Sequence, residues 1–249
     1  MKIIATDYDG TLNHKGIDSV KKEAISRWRK AGNLFGVVSG RGIRSLLDVI
    51  KNKGFEFDFL IANNGAVICD SDLKIVKDFK CKGDIAKPLI EDLFKWNCPF
   101  ANIDKDVSIM IKADIEDCEE DEITIDKIPH IDYFNQINTM LENDEEAHKI
   151  VLKIKEKYSE FLNPLQNGQC IDITPAGVDK ASGIYALLDV LGGSYDDVIT
   201  VGDNINDEAM IREFRSYAMA NGVQYIKDIA DDITEGITEL IEKEMTPII

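Results

Sequence analysis

The chain begins with residues 1–11, MKIIATDYDGT, in which a short apolar run leads directly to two carboxylates. Residues 2–6 predict a buried β-strand, because a short apolar run rich in β-branched residues is typical of one. Asp7 and Asp9 then stand where the strand ends. In an open parallel sheet, ligands gather at the carboxyl ends of the strands. The stretch therefore predicts a functional site at the end of the first strand.

Strands and helices alternate in the first and last thirds of the chain. The first third predicts a helix over 19–31, a strand over 34–38 (LFGVV), a helix from Ile43 that ends at Gly54, and a strand over 57–62 (FDFLIA). The last third predicts strands at 170–174 (CIDIT), 197–203 (DVITVGD) and 216–221 (SYAMAN), with helices near 180–191 and 206–214. This alternation indicates a parallel sheet covered by helices.

The middle of the chain differs in character. From about residue 82 to 168 the charge density rises, the predicted strands become shorter, and two helical segments appear near 84–96 and 144–158. A small hairpin at 65–79 precedes this region, with its turn at Asp70 to Asp72. We therefore expect a separate α+β domain inserted into the α/β core. The expected bounds are 1–81 and 169–249 for the two parts of the core and 82–168 for the insertion.

The net charge and the cysteine content exclude some classes of partner and favour one cellular compartment. The 249 residues carry a formal net charge of −17, which repels nucleic acid and anionic membranes. An anionic substrate would then need a metal ion, a few basic side chains or aligned backbone N–H groups. The five cysteines are spread out and form no C-x-x-C pair, which predicts free thiols in a reducing cytosol. No signal peptide or long apolar run is evident, so we expect a cytoplasmic protein.

Polar side chains mark four strand ends or helix starts. These are Asp7 and Asp9 after the first strand, Ser39, Gly40 and Arg41 after the second, Lys180 at a helix start, and Asp203, Asn206 and Asp207 after VITVG. Together they supply a carboxylate nucleophile, a second carboxylate, a hydroxyl, an ammonium and a further acidic pair. Phosphoryl transfer needs these groups.

Each group has an expected role in cleaving a phosphate monoester. Asp7 would attack the phosphorus, and Mg²⁺ would bridge Asp7 to the substrate. Asp9 would protonate the leaving oxygen and then deprotonate the water that cleaves the aspartyl-phosphate. Asp203 would complete an oxygen-rich metal site with the backbone carbonyl of Asp9. Ser39 and Lys180 would hold the phosphoryl oxygens.

Four stretches carry a family resemblance. DYDGT at 7–11, VVSGR at 37–41, DKASGI at 179–184 and GDNINDEAM at 202–210 resemble, in order, the four motifs of the haloacid dehalogenase superfamily of phosphatases. The insertion between the second and third motifs resembles the Cof-type subclass, which has a large α/β cap there. The resemblance implies a Rossmann-like parallel-sheet core with an inserted α+β cap, although the cap matches by position and size only.

The resemblance also implies roles for individual residues. It makes Asp7 the nucleophile, Asp9 the acid/base, Ser39, Gly40, Lys180 and Asn206 the substrate and phosphate binders, Asp7, Asp9 and Asp203 the metal set, and Thr11 and Asp207 supporting residues. Tyr8 stands where relatives often have Leu or Phe, and Ala181 where Cof-type sequences commonly have Gly. Neither departure touches a catalytic group.

The implied function is a Mg²⁺-dependent phosphatase of small phosphorylated metabolites, in particular sugar phosphates, that forms a phospho-Asp7 intermediate. The expected partner is a small-molecule phosphate ester, with no nucleic acid, membrane or obligate protein partner. A sugar phosphomutase of the same superfamily is one alternative, and a catalytically silent metabolite-binding module is another. A binding module has no need of a nucleophile, so the intact residue set argues against it.

Several features have two interpretations. Arg41 could contact phosphate or pair with an acidic loop, and His14 could face substrate from a flap or lie on the surface. The acidic run at 114–126 lacks the spacing of a calcium loop, which favours a solvated edge of the cap. Taken singly, the aspartates could be helix caps. The NNGA stretch at 63–66 is expected near the mouth of the site.

Overall fold

The computed structural model describes residues 1–113 and 123–246. Cys118 and most of the acidic run at 114–126 lie outside the described residues. The chain divides into two compact units. The first unit combines Met1–Lys77 with Lys180–Ile249, and the second is Asp78–Asp179.

Helices and strands alternate along the first unit as the sequence predicts. Its first segment contains β1 (Ile3–Asp7), α1 (Ser19–Lys30), β2 (Leu34–Val38), α2 (Ile43–Ile50), β3 (Phe59–Ala62), β4 (Val67–Asp70) and β5 (Ile75–Asp78). The intervening unit contains β6 (Cys81–Lys82), α3 (Ala86–Lys95), β7 (Phe100–Asp104), β8 (Ser108–Lys112), β9 (Ile123–Thr124), β10 (Tyr133–Phe134), β11 (Gln136–Met140), α4 (Asp144–Tyr158), β12 (Leu162–Asn167) and β13 (Cys170–Pro175). The last segment contains α5 (Lys180–Leu191), β14 (Val198–Gly202), α6 (Glu208–Glu213), β15 (Arg215–Met219), α7 (Gln224–Ile229), β16 (Asp232–Thr234) and α8 (Ile237–Met245). None of the described helices is long and apolar enough to cross a membrane.

The first unit is built on an eight-stranded sheet with the order β16-β15-β14-β1-β2-β3-β4-β5. β1 lies in its middle and pairs in parallel with both β2 and β14. β3 continues the parallel part, and β4 runs antiparallel to it as the first strand of the predicted hairpin. The predicted α/β class with a parallel-sheet core is therefore confirmed. In this arrangement the carboxyl ends of β1, β2 and β14 meet at one edge of the sheet.

Apolar side chains hold the helices against this sheet. Every residue of β1 is buried, as expected for a central strand covered on both faces. On α1, Trp28 is fully buried and its indole Nε1–H donates to the Leu34 carbonyl oxygen (2.8 Å), so the one polar atom of this side chain is satisfied. Asp18 begins the helix by accepting the Lys21 N–H (2.8 Å).

The second unit has its own sheet and core. Its six-stranded sheet has the order β12-β13-β11-β7-β8-β9, and apolar side chains of α3 and α4 pack with it in one cluster. Asp104, at the end of β7, is buried and accepts hydrogen bonds from Ser108 Oγ (2.7 Å) and Asn138 Nδ2 (3.1 Å). Burial raises the pKa of the Asp104 carboxyl, and these hydrogen bonds oppose the rise.

One strand lies in a different sheet from the one that we expected. We placed 170–174 in the α/β core, but β13 pairs antiparallel with β11 and β12, which belong to the second unit. This unit accordingly spans Asp78–Asp179, whereas the sequence predicts an insertion over 82–168. The alternating pattern of CIDIT is typical of a strand with one buried face, and such a strand fits either sheet. The neighbouring strand decides which sheet β13 joins, and that neighbour is β12 of the second unit.

The cysteines within the described ranges are free thiols, namely Cys69, Cys81, Cys98 and Cys170. The first three are buried, and burial raises the pKa of each of these thiols to about 11. These groups stay protonated near neutral pH, so they act as small apolar side chains rather than as nucleophiles.

Candidate active site

A buried ammonium joins two carboxylates at the carboxyl edge of the central strands. Lys180, the first residue of α5, is fully buried and donates through Nζ to Asp7 Oδ1 (2.7 Å) and to Asp207 Oδ1 (2.5 Å). Asp7 is the last residue of β1 and is 5% exposed. A buried charge is tolerated only when it is paired and hydrogen-bonded, and here each charge has such a partner.

Asp207 is held from its other side by the backbone. Its Oδ2 accepts the N–H groups of Asp203 (2.9 Å) and Asn204 (3.0 Å). An ideal Cβ built at Gly202 would lie 2.5 Å from Asp207 Cγ, so only glycine leaves room for this carboxylate. Both oxygens of Asp207 therefore already have donors, and the side chain acts as a fixed anchor for Lys180.

The pKa values reflect this crowding of charge. Burial raises the pKa of Asp7 well above its usual range, while Lys180 opposes the rise. Burial alone would lower the pKa of Lys180, but the Asp207 and Asp7 carboxylates outweigh it and raise that pKa. Burial also raises the pKa of Asp203, against a hydrogen bond from Thr11. The single ammonium of Lys180 thus does not balance the negative charge of the three carboxylates Asp7, Asp203 and Asp207.

Asp203 follows β14 and faces the turn that follows β1. Thr11 is fully buried, and its hydroxyl donates to Asp203 Oδ1 (2.8 Å). Gly10 has a φ of +85°, and an ideal Cβ there would lie 2.4 Å from Asp203 Oδ2. The glycine is required both for its backbone conformation and for the approach of this carboxylate. Asn221 donates through Nδ2 to the Gly10 carbonyl (3.0 Å) and so ties the same turn to the end of β15.

Asp9 points to a different partner from Asp7. Its two carboxylate oxygens accept hydrogen bonds from Arg41 Nε (2.6 Å) and the second guanidinium nitrogen (2.9 Å). This two-pronged pair raises the pKa of Arg41, chiefly through the hydrogen bond to Asp9. Of the two interpretations offered for Arg41, the structure shows the ion pair. The intervening Tyr8 is buried in the core, where its hydroxyl donates to the Val49 carbonyl (3.3 Å).

Ser39 lies at the adjacent strand end. Asp7 is in register with Val38 of β2, so Ser39 follows at the same edge of the sheet. Ser39 is buried, its N–H donates to the Ile61 carbonyl (2.8 Å), and its hydroxyl oxygen accepts the Arg41 N–H (3.2 Å). These bonds fix the backbone on both sides of Gly40.

The geometry groups three carboxylates that could hold a metal ion. Ligand oxygens of Asp7, Asp203 and Asp207 lie within 4.8 Å of one another. The metal set that the family resemblance implies is Asp7, Asp9 and Asp203. The Asp9 side chain is not part of this group, because both of its oxygens bind Arg41. Its backbone carbonyl is the group that we expected to face the metal.

Asn206 and His14, which the sequence also placed in or near the site, lie at its edge. Asn206 is half-buried in the short helix Ile205–Asp207, and no hydrogen bond described for this part of the chain places its side chain on Asp7 or Lys180. His14 is also half-buried, and an electrostatic interaction with it lowers the pKa of Asp203, which puts His14 near the site. Sequence reasoning missed Asn221, although its position just after a parallel strand was the available signal.

Comparison with models of known protein families assigns this chain to one of them. The family model described as haloacid dehalogenase-like hydrolase matches residues 4–239. The chain belongs to this family. The predicted resemblance is therefore confirmed, and the chain is a haloacid dehalogenase-like hydrolase.

Relatives of the hydrolase share its length. It is 25% identical over 241 residues to a 5-amino-6-(5-phospho-D-ribitylamino)uracil phosphatase of Bacillus subtilis strain 168, across 94% of this chain and 90% of that protein. Its fold is similar to a haloacid dehalogenase-like hydrolase from B. subtilis, with a TM-score of 0.82, 18% identity, and coverage of 97% and 99% of the two chains. It is also similar in fold to a HAD subclass IIB sugar phosphatase, with a TM-score of 0.80, 18% identity, and coverage of 98% and 99%.

Proposed function

We propose that this hydrolase is a Mg²⁺-dependent phosphatase that cleaves small phosphate monoesters through a phospho-Asp7 intermediate. One observation carries the proposal. A carboxylate at the end of the central strand is buried, ion-paired to a buried lysine, and grouped with Asp203 and Asp207 within 4.8 Å. A nucleophile, a phosphate-binding cation and metal-ligand oxygens are therefore adjacent.

The residues fit a magnesium ion. Lys180 pairs with Asp7 and Asp207, and Asp203 lies close to both carboxylates without an ion pair of its own to Lys180. Hard oxygen ligands of this kind suit Mg²⁺. Among the described residues, no hydrogen bond is made to Asp7 Oδ2 or Asp203 Oδ2, so both are open to a ligand. Asp7, Asp203 and the Asp9 carbonyl would hold the ion. When bound, it would neutralise charge on the phosphoryl oxygens.

The chain's own residues then account for both half-reactions. Asp7 attacks the phosphorus, and the bond from phosphorus to the leaving oxygen breaks while Asp9 donates a proton to that oxygen. In the second step Asp9 takes a proton from water, which attacks the phosphorus and releases Asp7 and inorganic phosphate. Lys180 stays an ammonium because its carboxylate neighbours raise its pKa, so it can bind a phosphoryl oxygen throughout.

Ser39 completes the phosphate-binding set in this proposal. Its hydroxyl oxygen accepts a hydrogen bond from the backbone, which leaves the hydroxyl proton free to donate to a phosphoryl oxygen. Arg41 holds Asp9 by both oxygens, and that pair must open for Asp9 to carry a proton. The phosphoryl group itself could draw the guanidinium away, because Arg binds phosphate as well as carboxylate.

We propose small phosphorylated metabolites, in particular sugar phosphates, as the substrates. The names of a phosphatase of a phosphorylated ribityl compound and of a sugar phosphatase among the similar proteins support this class. The net charge of −17 disfavours polyanionic substrates such as nucleic acid. Free thiols support the proposal of a cytoplasmic location, and a small-molecule phosphate ester is the partner that this function requires.

Hydrolysis of p-nitrophenyl phosphate tests the proposal. We expect Mg²⁺-dependent release of nitrophenol and inorganic phosphate, with loss of activity in Asp7→Asn. Asp9→Asn should lose turnover but still bind Mg²⁺ by calorimetry. The control is Asp48→Asn, which removes an exposed carboxylate paired with Lys51 and should leave activity unchanged. Full activity in Asp7→Asn would contradict the mechanism, and a requirement for an activating bisphosphate would point to a phosphomutase.

A further inference from the structure

A left-handed turn follows β3 directly. Asn63, Asn64 and Gly65 have φ angles of +51°, +49° and +106°. Positive φ disfavours residues other than glycine, although asparagine tolerates it better than most. Both asparagines are buried, with exposures of 1% and 0%. A backbone of this kind persists only where the surroundings hold it, and such segments cluster at functional sites.

The turn hydrogen-bonds to the loop that carries Ser39. Asn64 N–H donates to the Ser39 carbonyl (2.9 Å), and Asn63 N–H donates to the Arg41 carbonyl (2.8 Å). The Asn63 side-chain oxygen also accepts the N–H of Ile43, the first residue of α2 (3.3 Å). The loop is thus tied to the turn on both sides of Gly40. The positive φ of Asn63 turns the chain between these two N–H groups, which both donate to one loop, and the positive φ of Asn64 continues the turn towards Gly65.

The same turn touches the helix that carries Lys180. An ideal Cβ built at Gly183 would lie 2.6 Å from Gly65 Cα and 3.2 Å from the Gly65 carbonyl oxygen. Gly183 lies one turn along α5 from Lys180. The absence of a side chain at Gly183 therefore lets the backbone of α5 rest directly on the turn. The segment lies between the Ser39 loop and the Lys180 helix and contacts both.

We propose that Asn63–Asn64–Gly65 is a positioning element of the catalytic site. It sets the Ser39–Arg41 loop and, through it, places the Ser39 hydroxyl for phosphoryl binding and the Arg41 guanidinium on Asp9. The inference deepens the proposed phosphatase function and rests on it for its kinetic test. Neither asparagine is assigned a contact with substrate. Their effect is geometric, and small displacements of catalytic groups are costly to rate.

A pair of substitutions at one position isolates the backbone contribution. Asn64→Ala and Asn64→Gly both remove the amide side chain, but only glycine accepts a φ of +49° without strain. We expect kcat/KM for p-nitrophenyl phosphate to be about tenfold lower in Asn64→Ala than in Asn64→Gly. Inorganic phosphate should also inhibit Asn64→Ala more weakly, because Ser39 is displaced.

Asn97→Ala is the matched control. Asn97 has a φ of +65° but belongs to the second unit, so alanine there introduces the same backbone strain away from the Ser39 loop. It should lower the melting temperature and leave kcat/KM unchanged. If Asn64→Ala does not fold, Asn63→Ala and Asn63→Gly give the same comparison at a φ of +51°.

The outcomes separate this inference from the proposed function. Equal kcat/KM in Asn64→Ala and Asn64→Gly, or an equal loss in Asn97→Ala, would overturn the positioning role while leaving the phosphatase intact. If the unmodified protein cleaves no phosphate ester, the proposed function fails. Hydrogen exchange then tests the inference by itself, because residues 39–43 should exchange faster in Asn64→Ala than in Asn64→Gly. Equal exchange in the two variants would overturn it.

Discussion

Replacing Thr11 by valine should weaken magnesium binding without disturbing the fold. The buried hydroxyl of Thr11 donates to Asp203 Oδ1 at 2.8 Å, and valine keeps the branched shape while removing that donor. A hydrogen bond to a charged group contributes about 1.5–3 kcal/mol. If the Mg²⁺-bound state loses this stabilisation of the ionised Asp203, the Mg²⁺ concentration for half-maximal activity should rise about 10–100-fold.

The effect of Thr11→Val on Mg²⁺ binding should also depend on pH. The Thr11 hydroxyl lowers the pKa of Asp203 against the effect of burial, so its removal lets that pKa rise further. Protons then compete with Mg²⁺ at a higher pH, and the deficit of the variant should widen as the pH falls from 8 towards about 5. The assay is a Mg²⁺ titration of p-nitrophenyl phosphate hydrolysis at several pH values, with calorimetry of Mg²⁺ binding.

Thr200→Val is the control for Thr11→Val. Thr200 is equally buried, but its hydroxyl donates to the Met210 carbonyl oxygen (3.0 Å) and does not touch Asp203. It should lose stability with an unchanged Mg²⁺ midpoint. An unchanged midpoint in Thr11→Val, or an equal shift in both variants, would refute the reasoning.

Three further changes have defined outcomes. In the proposed function Arg41 releases Asp9 and binds the phosphoryl group. Arg41→Lys should therefore lower kcat about tenfold, because a single ammonium lacks the two parallel N–H donors of the guanidinium; wild-type steady-state kinetics in this variant would contradict that role. Burial holds the pKa of Asp104 higher in the folded state than in the unfolded state, so ionisation of this carboxyl destabilises the fold. The full penalty is present at pH values above the folded-state pKa. Asp104→Asn should therefore melt higher than the parent at pH 7, and the gain should shrink as the pH falls towards about 4; a constant gain would show that charge is not the cause. Gly183→Ala should lower kcat/KM by pushing α5 off Gly65, and a crystal structure of the variant with α5 unmoved would contradict this.

The sequence predicts the residues at the strand ends well, for a physical reason. Asp7 and Asp203 are far apart in the chain, yet the parallel strands β1 and β14 bring their carboxyl ends to one edge. Recognising β1 and β14 as strands was therefore enough to expect these side chains together. The predicted helix at 144–158 also matches α4, because it has apolar spacing on one face and Asn143 as a cap.

Pairings between side chains and between strands were not predictable in the same way. Nothing local to Arg41 indicates that its partner is Asp9 rather than phosphate, since the choice depends on where two loops meet. The strand at 170–174 was placed in the wrong sheet because its partner, β12, was not recognised. For the left-handed turn at Asn63 the sequence predicts only a loop, since two asparagines and a glycine permit positive φ but do not specify which carbonyl oxygens the turn will face.

The order of pairing in the central sheet has a consequence for biosynthesis. β1 needs β14 beside it, with Ile3 in register with Val198, so almost two hundred residues must be made before the central pair can form. At about 5–20 residues per second, that interval lasts on the order of 10–40 s on the ribosome. The six-stranded sheet has all its partners within Asp78–Asp179 and can form during this wait. Since Lys180 and Asp203 emerge after Asp179, a nascent chain can hold a folded second unit before it holds the complete group of Asp7, Lys180 and Asp203.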